Sequence, residues 1–273
     1  MSKLWNRKAG ISVMFIKLVV LVMVFCSFTS GVLARPLYLE ALKGEPDAKQ
    51  LAKSREKILE YQQIEIRDDL DQKLPPFHRR PEQKITQGET FCQICHLPVP
   101  HRHSPWTRAL LNMHSRYIAC STCHFRPENV TFTYRWLNFS SGQTLDADPN
   151  RFRTGRDLDN EIPLDGTVKI ASFYQDEPAV PLPGSAVAEA VAREWRDGDT
   201  QQKTRLHARL HRPLEPKGLS CERCHQEEKP LLDLRALGAQ PAQVEQIQRH
   251  VLPQFFSRYR EKEQKIRILD LTR

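Results

Sequence analysis

The spacing of hydrophobic positions changes several times along the chain, and the changes mark out five stretches. Leu18 to Ala34 is a 17-residue run without a charge, behind a basic flank of Lys3, Arg7, Lys8 and Lys17, the layout of an export signal. Val32-Leu33-Ala34 puts small residues where a signal peptidase reads, so residues 1–34 are expected either to be cleaved before Arg35 or to stay as an anchor through residues 9–34. Cys26 follows Phe25 rather than the small residue a lipid-attachment signal needs, and is assigned to that segment. In residues 35–76, Leu51, Ile58, Leu59, Ile66 and Leu70 recur at roughly helical intervals behind Pro46-Asp47, predicting an amphipathic arm that ends at Pro75-Pro76.

In residues 77–128, Ser104-Pro105 is an N-cap and first-turn pair, behind which Trp106, Leu110, Met113 or His114, and Tyr117 share one face of a short helix. Residues 129–184 switch to period two. Val130, Phe132, Tyr134 and Trp136 alternate with Thr131, Thr133 and Arg135, and Val168 and Ile170 alternate with Lys169 and Ala171, predicting two strands joined by a long polar loop over 138–164. Pro178, Pro181 and Pro183 predict coil from Tyr174 to Gly184. In residues 185–273 helical spacing returns, with Val187, Val191 and Trp195 on a helix stopped by Gly198 and a second helix over about 200–212. A third stripe, Val244, Ile247, Val251 and Phe255, follows Pro241 and meets Pro253.

With 40% hydrophobic and 27% charged residues in 273, the composition is that of a globular chain, which excludes a disordered or fibrous one. Removing residues 1–34 takes away four positive charges and no negative one, so the formal charge falls from +8 to +4. A mildly basic exported chain without a dense Lys/Arg tract is not expected to bind nucleic acid.

Phe91 to His124 packs four of the seven cysteines and five of the ten histidines into 34 residues. Within it lie Cys92-Gln93-Ile94-Cys95-His96 and Cys120-Ser121-Thr122-Cys123-His124, and far downstream Cys221-Glu222-Arg223-Cys224-His225. All three are C-x-x-C-H, the attachment signature of c-type haem. Two thiols three residues apart reach the two vinyl groups on one edge of the ring, and the histidine beside them turns under it to the iron. Paired C-x-x-C motifs also hold zinc or form redox disulfides. The trailing histidine decides: at 10 histidines in 273 residues, its chance recurrence after three of three pairs is on the order of 1 in 20,000. Zinc sites also use cysteines in fours, which would leave two of these six over.

On these motifs and the histidines around them, over about residues 78–125 and 205–225, the chain resembles the multihaem c-type cytochromes of bacteria. The resemblance implies three covalent haem c groups attached through Cys92, Cys95, Cys120, Cys123, Cys221 and Cys224. It also implies His96, His124 and His225 as proximal ligands, and a second histidine on the far face of each iron. The expected fold is mainly α and irregular, with haems forming much of the core and a small β-hairpin or sheet inserted between the second and third haem. Residues 77–128 would then form a two-haem segment and 185–273 a third-haem segment.

Beyond residue 34 the only methionine is Met113, so at least two of the haems cannot have Met/His ligation. The distal candidates, in order of preference, are His114, His211, His103, His78, His101, His207 and His250. His114 lies on the helix face of Trp106 and Leu110. His207 and His211 share a helix face, one expected to bind iron and its neighbour a propionate or water. His78 stands 14 residues before Cys92, as His207 stands 14 before Cys221. His101 and His103 are too near His96 to cap its haem but can reach a neighbour's. His250 borders the Val244 stripe. Segment 91–124 is therefore expected to hold two haem sites flanking a distal-ligand helix.

Filled axial positions make a relay, and the expected function is electron transfer in the periplasm of a Gram-negative bacterium. The partners implied are a quinol-oxidising system on one side and a terminal reductase or outer-membrane acceptor on the other, with other subunits allowed. Two further readings stay open: an enzyme whose one open-faced haem reduces a small nitrogen or sulfur compound, and a membrane-anchored quinol dehydrogenase subunit. The second is similar to the anchored tetrahaem family, from which three motifs rather than four or more depart.

Overall fold

A computed structural model of the chain describes residues 35–63, 90–97, 100–101, 110–147, 167–250 and 253. The expectations for the export segment, Pro75-Pro76, His78, His103, Trp106 and Phe255 fall outside these residues, and the elements below belong to the unit Pro36–Arg273. Among the described residues no helix is long and apolar enough to cross a membrane.

Helix α1 is Leu37–Ala41 and α2 is Ala48–Gln62. Asp47 caps α2 through a reciprocal box: its Oδ1 accepts from Gln50 N at 2.7 Å while Asp47 N donates to Gln50 Oε1 at 3.0 Å. The face α2 buries carries Ser54 and Ile58, four residues apart, whereas Leu59 is 40% exposed. One residue along a helix turns the side chain by about 100°, so Leu59 cannot share the stripe that Ile58 presents to the second helical pair.

That pair is α5, Ala186–Asp197, and α6, Thr200–His211. Ser185 and Asp199 cap them, Asp199 through a second box with Gln202. Gly198 N bonds Glu194 O at 3.0 Å, and a Cβ at this position would stand 2.4 Å from that oxygen, so only glycine lets the chain leave α5 this tightly. Arg212, just past α6, donates to the carbonyls of Ala41 and Lys43 and closes the end of α1.

Between the helical parts lies an antiparallel sheet of order β2-β1-β3-β4: β1 Thr133–Asn138, β2 Thr144–Leu145, β3 Val168–Tyr174 and β4 Glu177–Pro178. The alternation expected of half-buried strands fails at its centre. Trp136 and Leu137 are both buried, as are residues 169–173, because this sheet is covered on both faces. Trp136 and Ile170, paired across the strands, join Leu232, Leu234, Leu237 and Val244 on one side, while Leu137, Ala171 and Phe173 pack with Ala119 and Phe139 on the other. The proline-rich stretch expected as coil includes β4, reached through Gln175 and Asp176, whose positive φ of 50° and 66° are those of a tight hairpin turn.

Helix α3 is the single turn Asn112–His114, α4 is Cys120–His124, and α7 is Pro241–Gln248. Tyr38 of α1 stands edge-on to Phe91 at 5.7 Å and to Phe125 at 5.3 Å, and its hydroxyl donates to Leu210 O. Phe91 directly precedes Cys92 and Phe125 directly follows His124, so one buried ring joins the first two cysteine motifs to α6.

Candidate functional site

Each C-x-x-C-H motif is a single helical turn. The first is a tight turn over Phe91–Ile94, the second is α4, and the third is a tight turn over Cys221–Arg223. His96 N donates to Cys92 O at 3.1 Å and His225 N to Cys221 O at 2.9 Å. Helical winding brings positions i, i+3 and i+4 to one face, which carries both thiols and the imidazole of a motif to the same side.

Each motif histidine faces a second histidine from elsewhere in the chain. His96 and His211 have ring centroids 5.7 Å apart and Nε2 atoms 3.4 Å apart. His124 and His101 lie 6.4 Å apart with planes at 20°, and His225 and His114 lie 6.0 Å apart with planes at 88°. Two iron–nitrogen bonds of about 2 Å end to end would hold facing nitrogens about 4 Å apart and ring centroids about 6 Å apart. The three centroid separations lie near that figure, while the His96 and His211 nitrogens, at 3.4 Å, stand at the shorter hydrogen-bond distance.

Hydrogen bonds at the far ring nitrogen fix the tautomer. Nδ1–H donates to Leu110 O from His114 at 2.8 Å, to Glu215 O from His124 at 2.8 Å, to His207 O from His211 at 2.8 Å and to Ile247 O from His225 at 2.6 Å. With Nδ1 protonated, Nε2 keeps its lone pair for a metal. Burial disfavours the charged form of three rings: it pulls His211 and His225 below the ordinary range, against the bonds to His207 O and Ile247 O, and pulls His96 down to about 4 with help from His211 and His124.

The thiols of the motifs differ in their surroundings. Burial pushes Cys95 and Cys224 up to about 12 and Cys123 up to about 11. Cys92 is also raised, chiefly because its thiol hydrogen-bonds the Cys120 sulfur, which the same bond lowers. Zinc and iron–sulfur sites need cysteine deprotonated; an uncharged thioether suffers no such penalty. Among the described residues no group of three or more His, Cys, Asp or Glu converges as a metal clasp, and none of the six cysteines is in a disulfide. Imidazoles in facing pairs beside paired cysteines fit covalently attached haem.

Of the other candidates, His207 stacks on His211 at 3.9 Å and meets Ser54 Oγ through Nδ1 at 3.0 Å, placing it behind a paired ring rather than opposite a motif histidine. His250 is exposed just past α7, near enough to bear on His225 electrostatically. His114 departs from the expectation that segment 91–124 completes itself, since it faces the third motif. Three contributors carried no readable signal: Asn112, which holds His101; Glu215, whose carbonyl holds His124; and Tyr38. Lys169 had one, a lone lysine in the apolar run VKIASFY. It is 3% exposed, and its Nζ donates to Ser115 O at 2.6 Å and Arg116 O at 3.2 Å, securing the turn that leads from His114 to Cys120.

No family model, no curated protein and no solved structure matches this chain.

Proposed function

We propose that the chain is a triheme c-type cytochrome that carries electrons between redox partners outside the cytoplasm. One observation carries this reading: each of the three C-x-x-C-H histidines faces a second imidazole at 5.7 to 6.4 Å, His96 with His211, His124 with His101 and His225 with His114. Haem, when bound, supplies an iron that cycles between ferric and ferrous states without moving a substrate.

The chain's own residues supply attachment, ligation and enclosure. Each cysteine pair would hold the group through thioethers, with the sulfur and proton of each thiol added across one vinyl double bond. The six imidazoles would offer Nε2 to iron from both faces, five of them with Nδ1 bonded to an oxygen acceptor that holds the ring in plane. With an imidazole pair at every motif, no open coordination site would be left for a substrate, which favours carrier over enzyme. Bis-His ligation lacks the potential-raising effect of methionine, so low potentials are expected. Export supports the same reading, through the basic flank and apolar run of residues 1–34. The partners are of the classes named above, a quinol-oxidising system and a terminal reductase or outer-membrane acceptor, met through modest transient interfaces.

The test is haem stoichiometry by alkaline pyridine spectra together with low-temperature EPR on the exported protein. Three haems per chain, all low-spin and unaltered by cyanide or nitrite, are expected. No covalent haem would defeat the proposal outright, and one third of the haem high-spin and ligand-reactive would turn it toward the enzyme.

A further inference from the structure

In four of the paired rings, His114, His124, His211 and His225, Nδ1 bonds a main-chain carbonyl, an acceptor that no side-chain substitution removes. His101 is held differently. Its Nδ1 lies 3.1 Å from Asn112 Oδ1, the same oxygen accepts from His101 N at 3.0 Å, and Asn112 Nδ2 donates to His101 O at 3.0 Å.

Three bonds from one amide determine the geometry of this residue. With Nδ2 committed to a carbonyl, which can only accept, Oδ1 must face the two nitrogens, so His101 Nδ1 carries the proton. The lone pair is left on Nε2, and the ring of His124 stands nearly parallel at 20° with its centroid 6.4 Å away. The His101 main chain and its ring are thus gripped together, and the ring cannot turn without breaking the grip. Asn112 also opens the turn Asn112–His114, two residues before the imidazole that faces His225.

We propose that Asn112 is the positioning residue for the His101 imidazole, and that its Oδ1 sets the ligand strength of that ring and so the reduction potential of the haem held by the second motif. The proposal rests on the haem reading above. A stronger acceptor at Nδ1 draws the proton away from the ring and makes Nε2 a better donor, which favours ferric iron. An amide oxygen is a neutral acceptor, a carboxylate is a stronger one, and a hydrocarbon is none. The second site is then tuned by a side chain, whereas the four rings bonded to main-chain carbonyls are set by the fold.

The experiment uses the haem-loaded full chain, wild type, Asn112→Asp and Asn112→Leu, with potentiometric titration and EPR of the ferric protein. In Asn112→Asp one of the three midpoint potentials is expected to fall while the other two move less. In Asn112→Leu the same midpoint is expected to rise, or one third of the ferric haem to turn high-spin as His101 leaves. A purely structural role for Asn112 would move the potential in the same direction in both variants, and that result would overturn the proposal, as would three midpoints moving together or none moving. Should Asn112→Leu fail to accumulate, the near-isosteric Asn112→Asp decides alone by the direction of its shift. A wild type without haem defeats the underlying reading; a wild type with three haems and an unchanged Asn112→Asp defeats this one only.

Discussion

The imidazoles of His114 and His225 lie with ring centroids 6.0 Å apart and planes at 88°, across 111 residues of chain. The pair is built by the sheet rather than by local winding. Main-chain bonds from Ala119 N to Ile170 O and from Ile170 N to Tyr117 O lay the segment after His114 along β3, and Ile170, Tyr117 and Ile118 pack together with the Leu232–Leu237 region that follows His225.

Replacing His114 tests this pairing. If the chain carries the proposed haems, His114→Ala is expected to turn one third of the ferric haem high-spin and cyanide-reactive, read by EPR and the Soret band. His207→Ala is expected to leave all of it low-spin, because His207 stacks behind His211 instead of facing a motif histidine.

Lys169 is expected to be structural as a cation. Lys169→Met leaves the Ser115 and Arg116 carbonyls without their ammonium donor and should cost about 1–3 kcal/mol, seen as a lower urea midpoint with unchanged slope. A variant as stable as wild type would contradict the clamp.

Tyr38 offers a graded test of the contact between the first two motifs. Tyr38→Phe loses only the bond to Leu210 O, about 1 kcal/mol, whereas Tyr38→Ala also empties the space between Phe91 and Phe125, about 3–5 kcal/mol. Chemical denaturation of the two variants should rank them in that order.

The pH dependence of stability should include a share from His207. Burial, then the His211 and His96 rings, then Lys53 and Lys57, pull this ring from an ordinary 6.5 down to about 3. Between those values the unfolded chain binds a proton that the folded one does not, so stability is full above about pH 6.5 and declines as pH falls toward 3. His207→Gln removes that decline: thermal melts from pH 7 to pH 4 should fall less steeply than in wild type.

Features set by a few neighbouring residues could be read without the fold. The caps Asp47, Ser185 and Asp199, the stop at Gly198 and the three C-x-x-C-H turns are local, since each depends on bonds spanning three or four positions. Elements held by distant partners could not. The two-residue strands β2 and β4 exist only as pairings with β1 and β3, and the alternation across Trp136-Leu137 breaks because Leu232–Val244 and Ala119–Phe139 cover opposite faces. A periodicity read along one strand carries no information about what lies on either side of it.

The same division runs through the site. Six motif cysteines, three trailing histidines and a single methionine beyond residue 34 limit the chemistry from the amino-acid order alone, because each motif sets two thiols and an imidazole within five consecutive residues. Which imidazole completes which pair was a tertiary decision. His96 meets His211 across 115 residues because α6 runs past the first motif under Tyr38 and Phe91. His101 meets His124 because Asn112 grips one ring and the Glu215 carbonyl holds the other. His114 turns away from the two motifs that flank it toward the distant third, since the bonds to β3 aim that turn, and nearness in sequence gives an imidazole no preference among partners that packing brings equally close.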